Sequence, residues 1–496
     1  MTFNNGSGNY GVRVGDRVTS ATLTSVKIEG KGGNGEGSKG VWMESTGTMM
    51  ISGGSISKVE KGVYATGAGR LVMTGVQISK VKMGVEATNG MLVIKGNSTI
   101  TFNNGSGNYG VRVKNGVTMA TLTSVTIAGT GSGEGSKGVI VGSEDVGATG
   151  TKMIMEEVRI SNVAMGVEVT KGILAMKGGS IGFMGEYGVS LTKSTAALMG
   201  ITIKGNNQGK EGVKLNGGMV DLYKTNIREV QKGMSVENGV VRMFEGEIGF
   251  MGNYGIGLSK STAALKNVRI TGPSNKGTGV IMQNGVGAVM MKEVNISKVG
   301  TGVEVMGGIL AMKGGSIGFI GEYGVSLTKS TAALIGVKIE GNRTGKEGIK
   351  LNGGIIDLFR TNIRDVHKGM TITEGIVRMF GGEIGFKGNY GVYLDKGGAA
   401  LKNVRMTYTG NNKTADFIKV RGGTVIAEDI IITSTTDNGQ GVSVTNGGRV
   451  WLVGTDLKGV HKGVTITEGS VRMEGGEINF KGEYGVYFTR HKYNIT

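Results

Sequence analysis

Apolar and polar residues alternate in short runs along this chain. Val167 and Val169, Leu174 and Met176, and Ile181 and Phe183 each stand two apart, as do Leu92 with Ile94 and Ile100 with Phe102. A period of two over a few residues predicts strands, because successive side chains of a strand point to opposite faces. Between the runs sit Gly-Gly, Asn-Gly, Gly-Glu and Lys-Gly pairs, which allow the positive φ that tight corners need. No stretch keeps an i, i+3, i+4, i+7 apolar stripe through three turns, so almost no helix is expected.

The runs recur with a beat. A Gly followed by an apolar, a polar and another apolar residue returns from Gly11 to Gly485, as in Gly166-Val167-Glu168-Val169 and Gly188-Val189-Ser190-Leu191, with one degenerate copy at Asp416-Phe417-Ile418. A longer unit, Lys171 to Leu198, comes back almost unchanged at Gly307 to Leu334, 136 residues on, which is six beats of about 23 residues. Three short strands and three corners in that length describe one coil of a parallel β-helix. The leucine-asparagine consensus of a leucine-rich repeat is missing, and a propeller blade needs about 40 to 50 residues. The expected fold is all-β, a single-stranded right-handed parallel β-helix of about 20 coils. Stacked at roughly 4.8 Å, these form one elongated domain over residues 1–496, on the order of 95 Å long. The first residues repeat Ile100 to Tyr109 and the last follow another beat, so the ends read as cut in mid-repeat from a longer precursor.

Composition sharpens the picture. There are 96 glycines, one proline and no cysteine among 496 residues, which excludes disulfides and thiolate metal sites and fits equally an ordinary cytosolic protein and a chain exported through a narrow pore. A net charge of +18 points to an anionic partner: polysaccharide, cell surface or nucleic acid. With no basic arm and no recognition helix, nucleic acid is set aside. No apolar run is long enough to span a membrane.

Candidate chemistry is sparse. Asp221, Lys224 and Arg228, with their copy Asp357, Arg360 and Arg364, are the best set for cleaving a polysaccharide, but the copies lie six coils apart and their charges alternate with apolar residues as outward strand positions do. His367 and His461 occupy equivalent places four coils apart and cannot share an ion, so no metal and no cofactor are expected. Gly-x-Gly-x-x-Gly matches starting at Gly6 and Gly105 are expected by chance in so glycine-rich a chain, with no helix to follow them. Tyr10, Tyr109, Tyr187, Tyr254, Tyr323, Tyr390 and Tyr484 read as a corner stack rather than a sugar-binding ladder. The chain is therefore expected not to be an enzyme. The feature favoured for function is basic: Lys204, Lys210, Lys276, Lys338, Arg343, Lys346 and Lys413 lie in or beside long loops at one corner, and Arg159, Arg269 and Arg405 occupy outward strand positions. Stacking would join them into a stripe for a sulfated or carboxylated glycan.

The unit KGGSIGFxGEYGVSLTKSTAAL, in a cysteine-free, glycine-rich β-helix, resembles the passenger domains of Gram-negative autotransporters of the type V secretion class. More narrowly it is similar to the angiogenic-factor and CAMP-factor-like group. The resemblance implies a bacterial virulence factor, surface-exposed or secreted, that adheres to host cells. In the angiogenic branch it implies a ligand of an endothelial VEGF-type receptor, made with a translocator barrel in the full-length precursor. An adhesin, a cohemolysin-like surface protein and a structural stalk are the alternatives that the same residues leave open, with a polysaccharide lyase or hydrolase behind them.

Overall fold

The computed structural model describes residues 1–489 apart from 33–34, 132–134, 143–149, 284 and 343. It divides into two compact units, Met1–Met251 and Gly252–Thr496. Each unit is a parallel β-solenoid, and no helix occurs among the described residues. One turn of the first unit runs through strands Met165–Thr170, Ile173–Lys177 and Ser180–Phe183. Each strand pairs in parallel with its counterpart one turn away. Val167 faces Val189 on the first face, Leu174 faces Ala196 on the second, and Ile181 faces Ile203 on the third. The second unit repeats the arrangement, with Val303 opposite Val325, Leu310 opposite Ala332 and Ile317 opposite Ile339.

The glycine beat has a steric cause. In the first-face strand of each turn both the Gly and the apolar residue after it point inward. A Cβ on Gly166 would stand 2.3 Å from Ile181 Cγ2 and 2.3 Å from the carbonyl oxygen of Gly188 on the next turn. Gly324 meets Ile339 and Gly348 in the same way, at 2.4 and 2.6 Å. Any side chain there would push the first face off the third. The degenerate copy breaks the rule for a visible reason. Met406 replaces the usual isoleucine behind the preceding glycine, Gly391, and Phe417 fills the interior with its ring 5.2 Å from Phe386 and 6.0 Å from Tyr408.

Corners are made differently from the expectation of glycine pairs alone. The turn through Arg159–Lys177 bends at Glu157, Asn162 and Lys171, all non-glycine residues with φ between 51° and 54°. Such residues persist where the ladders on both sides hold the backbone in place. Buried hydroxyls stitch further corners. Ser194 Oγ donates to Val169 O at 3.1 Å, Ser330 Oγ to Val305 O at 3.1 Å, and Thr361 Oγ1 to Leu334 O at 3.1 Å.

Gly166→Ala is expected to lower stability by about 1–3 kcal/mol, the usual cost of forcing extra volume into a packed interior. Gly15→Ala, at a glycine with nothing within 4 Å of the added carbon and no positive φ, is expected to be neutral. Urea unfolding of both variants checks this, and equal midpoints would refute the steric account of the beat.

Candidate functional site

On the second face of the unit Gly252–Thr496, register builds three outward columns. One begins Lys266, Lys292, Lys313: Lys266 pairs with Lys292 and Lys292 with Lys313, placing three lysines on consecutive turns about 4.8 Å apart. All three are exposed, and none has an ion pair among the described residues. Like charges directly opposite on paired strands repel. Elsewhere the same face avoids this by alternating signs. Arg378 makes a two-pronged ion pair with Asp357 at 2.6 and 2.9 Å, and Lys402 meets Glu428 at 2.6 Å. In the unit Met1–Met251, Arg242 grips Asp221 in the same way. The carboxylates singled out from sequence are thus consumed in ion pairs. The lysine row is where compensation stops.

The row borders an apolar floor. The neighbouring column places Ala264, Met290 and Ala311 beside the lysines, and the same face exposes Ile309, Ile335, Phe359, Ile376 and Phe380, with Phe359 and Phe380 stacked 5.4 Å apart. Around the corner, Arg269 heads a column that continues through Asn295 and Ser316 to Lys338. Two residues predicted from sequence therefore share one column, three turns apart, next to a lysine row that sequence analysis did not single out. The missing signal was Ala-x-Leu-Lys, Val-Met-Met-Lys and Leu-Ala-Met-Lys, in which a lysine closes the second strand of consecutive repeats.

The other basic candidates fare as follows. Lys204 is 3.3 Å from Glu229, Lys210 is 2.6 Å from Glu186, and Lys346 pairs with Glu322, so each is partly neutralised. Lys276, Lys413, Arg159 and Arg405 are exposed. Arg405 pairs by register with Glu383. Arg343 lies outside the described residues. In the first unit the loop corner does form a cavity of about 490 Å³ lined by Asn5, Lys58, Lys80, Lys82 and Asn103. Two of its lysines already have carboxylate partners, Lys58 with Glu29 at 2.7 Å and Lys82 with Glu36 at 3.7 Å. Hydrogen bonds from Lys58 and Lys27 hold the Glu29 carboxyl down to about 2.

On the first face of that unit, cations and rings interleave. Lys39 lies 4.7 Å from the Trp42 ring, Arg13 lies 4.8 Å from it, and Lys61 lies 4.3 Å from Tyr64. The next turn buries Glu86. Burial pushes its carboxyl up, but hydrogen bonds from Lys61 and Tyr109 and the charge of Lys114 outweigh that and leave it below its ordinary value. Tyr109 is buried too and is pushed up by burial and by the charge of Glu86. Tyr187 is bound to Glu168, and Tyr323 accepts from Lys350 at 3.0 Å. These tyrosines brace the face.

One group in the second unit behaves differently. Asp416 follows Tyr390 in its column, as Glu211 follows Tyr187 and Glu347 follows Tyr323, and is 3% exposed. Burial raises its carboxyl to about 6 against the opposing pull of Lys419, whose Nζ is 3.3 Å away. Lys419 itself stands 5.3 Å from the Tyr390 ring. Among the described residues no group of three or more acidic or histidine side chains could hold a metal.

No protein-family model and no curated protein sequence matches the chain. Among solved structures it is similar to the PL6 family alginate lyase AlyGC at 9% identity, covering 98% of this chain and 97% of that one, with a TM-score of 0.26. A double mutant of the periplasmic alginate epimerase AlgG aligns at 11% identity over 91% and 77% of the two chains, with a TM-score of 0.19. The A-module of the Azotobacter vinelandii mannuronan C-5 epimerase AlgE6 aligns at 13% over 90% and 91%, with a TM-score of 0.12. At these values the likeness speaks to the fold and assigns no activity. It does overturn the expectation that this chain is not an enzyme, because the proteins it is similar to are polysaccharide-acting enzymes. The exclusion rested on Asp221 and Asp357 lying six coils apart at outward strand positions, and it did not weigh Asp416, which is buried beside Tyr390 of the preceding turn. What stands is the parallel β-solenoid itself.

Proposed function

We propose that the chain binds a linear anionic polysaccharide along the second face of the unit Gly252–Thr496, through the row Lys266, Lys292 and Lys313. The observation that carries this is the row itself: three lysines in register with no ion pair among the described residues, beside an apolar floor, on a face that pairs Asp357 with Arg378 and Lys402 with Glu428. A polymer with anionic groups at close intervals relieves the repulsion and lays its sugar rings on the floor. Arg269 and Lys338 extend the positive region around the corner. The resemblance to autotransporter passengers adds a setting to this proposal. The protein is a virulence factor on the bacterial surface or released from it, its polysaccharide is a host-cell glycan, and an endothelial growth-factor receptor of the VEGF type is a further partner held through that glycan. The net charge of +18 and the absence of cysteine support it.

A second reading, modification of a polysaccharide, is favoured by Asp416. A carboxyl raised to about 6 beside a lysine is the kind of group that serves as an acid or base near neutral pH. Incubation with polyuronates, followed by the absorbance of unsaturated products and by chain length, tests it directly. An unchanged polymer with wild-type protein would remove this reading.

The triple variant Lys266→Glu, Lys292→Glu, Lys313→Glu is expected to leave a heparin column at clearly lower salt than a control reversing the exposed lysines Lys95, Lys152 and Lys481. Equal elution of the two would sink the lysine-row assignment, since both carry the same net charge.

For Asp416 the sign of the pH effect follows from its raised value. Its stabilising contribution is present below the ordinary 3.8 and is lost as pH rises through about 6. A shift of about two units corresponds to roughly 3 kcal/mol. Between pH 4 and pH 7.5 the stability of Asp416→Asn relative to wild type is therefore expected to rise by about 2–3 kcal/mol. Urea titrations across that range measure it, and a pH-independent difference would contradict the burial argument.

A further inference from the structure

The lysine row is not the end of the second face. Following its middle column by register, Ala311 leads to Ala333 and Asp357, Arg378 pairs with Asp357 and leads to Ala400, and Ala400 leads to Ile426, Trp451 and Arg472. At the far end of this path the surface hollows into a groove of about 250 Å³, lined by Thr424, Ile426, Arg449, Trp451, Ser470 and Arg472. Its floor is apolar: Ile426 is 40% exposed and Trp451 is 39% exposed, on adjacent turns. Its rim is cationic and hydroxylated. Arg472 lies 5.0 Å from the Trp451 ring and pairs with Glu474, while Arg449 is exposed and has no ion pair among the described residues. Thr424, Arg449 and Ser470 form one register column, and Ile426, Trp451 and Arg472 form the next.

An exposed indole in a shallow groove, with an uncommitted guanidinium and two hydroxyl residues at its edge, matches the two sides of a charged sugar. The ring hydrogens of a pyranose stack on the aromatic face, while its acid group and hydroxyls meet arginine, serine and threonine. The row and the groove lie on one face of one unit. Six turns separate Lys313 from Trp451, which is about 29 Å at the strand spacing. Between them the path is open: the small side chains of Ala333 and Ala400, the neutralised Asp357–Arg378 pair and the stacked Phe359 and Phe380 put no uncompensated negative charge in the way.

We propose that Trp451, with Arg449 and Arg472, forms a second saccharide subsite, so that one linear polyanionic chain is held at the lysine row and at this groove together. The proposal rests on the reading of the row as a glycan site. Two joined subsites turn the second contact into an intramolecular one, and affinity then depends on whether the ligand is long enough to span both.

The full chain carrying Trp42→Phe keeps Trp451 as its single tryptophan. Titration with size-graded heparin oligosaccharides, and separately with polyuronate oligosaccharides of matched length, reads both affinity and Trp451 fluorescence. Affinity is expected to rise at least about a hundredfold once the oligosaccharide spans some 29 Å, with the Trp451 emission shifting at the same length. Adding Trp451→Ala removes that step in affinity. Salt-sensitive binding of short oligosaccharides with no length step, or a step that survives Trp451→Ala, overturns the second subsite and leaves the lysine row standing. Failure of every oligosaccharide to bind overturns both. The two ligand series tell sulfate from carboxylate recognition.

Discussion

The parallel pairing of each turn with the next is the interaction on which everything else in these units depends. It sets a pitch of about 4.8 Å and admits no slip, since a shift of one residue would turn Val167, Leu174 or Ile181 and their column-mates from interior to solvent. The pitch in turn requires the first and third faces to approach closely, and a Cβ at Gly166 would sit 2.3 Å from both Ile181 and the next turn. The recurrent glycine is therefore a spacing device. In the turn after Gly391 and Met406, the chain places the buried Phe417 where the glycine would stand.

The same pitch makes charge placement consequential. A residue's outward neighbours are its repeats one turn before and after, so a repeated lysine is a stacked lysine. Most of the second face resolves this by pairing Asp357 with Arg378 and Lys402 with Glu428. The row Lys266, Lys292, Lys313 does not, and it stands next to a run of exposed Met290, Ile309, Ile335 and Phe359. An uncompensated column and an apolar strip side by side form a surface suited to a polymer that carries both charge and sugar rings. The first face is built on the opposite principle. Its lysines and arginines lie over Trp42 and Tyr64, and its buried Glu86 is enclosed by Lys61, Lys114 and Tyr109, so these charges are met within the face itself.

Asp416 shows how a repeat acquires a perturbed group. It stands where Glu211 and Glu347 stand after their tyrosines; those two are paired with Lys232 and Lys368 on the next turn, whereas Asp416 is followed by Gln440 and is buried. Lys419 is near enough to moderate the cost without abolishing it, which leaves the group titrating near 6.

The alternation of Val167 with Val169 and of Ile181 with Phe183, the glycine beat and the 136-residue repeat were enough to determine strands, corners, parallel stacking and the all-β class, because each is a local or periodic property of the chain. The outward columns also follow from the repeat, so Arg269 and Lys338 could be placed on one face from their equivalent positions. What only the tertiary structure decided was which charges are free. Lys204, Lys210 and Lys346 have carboxylate partners some two dozen residues away in the chain, and Lys266, Lys292 and Lys313 have none among the described residues. Ion pairing depends on side-chain reach between turns of unequal length, where loops shift the sequence spacing of true neighbours. The groove at Trp451 was likewise hidden, since its walls come from three turns whose residues look unremarkable when read one after another.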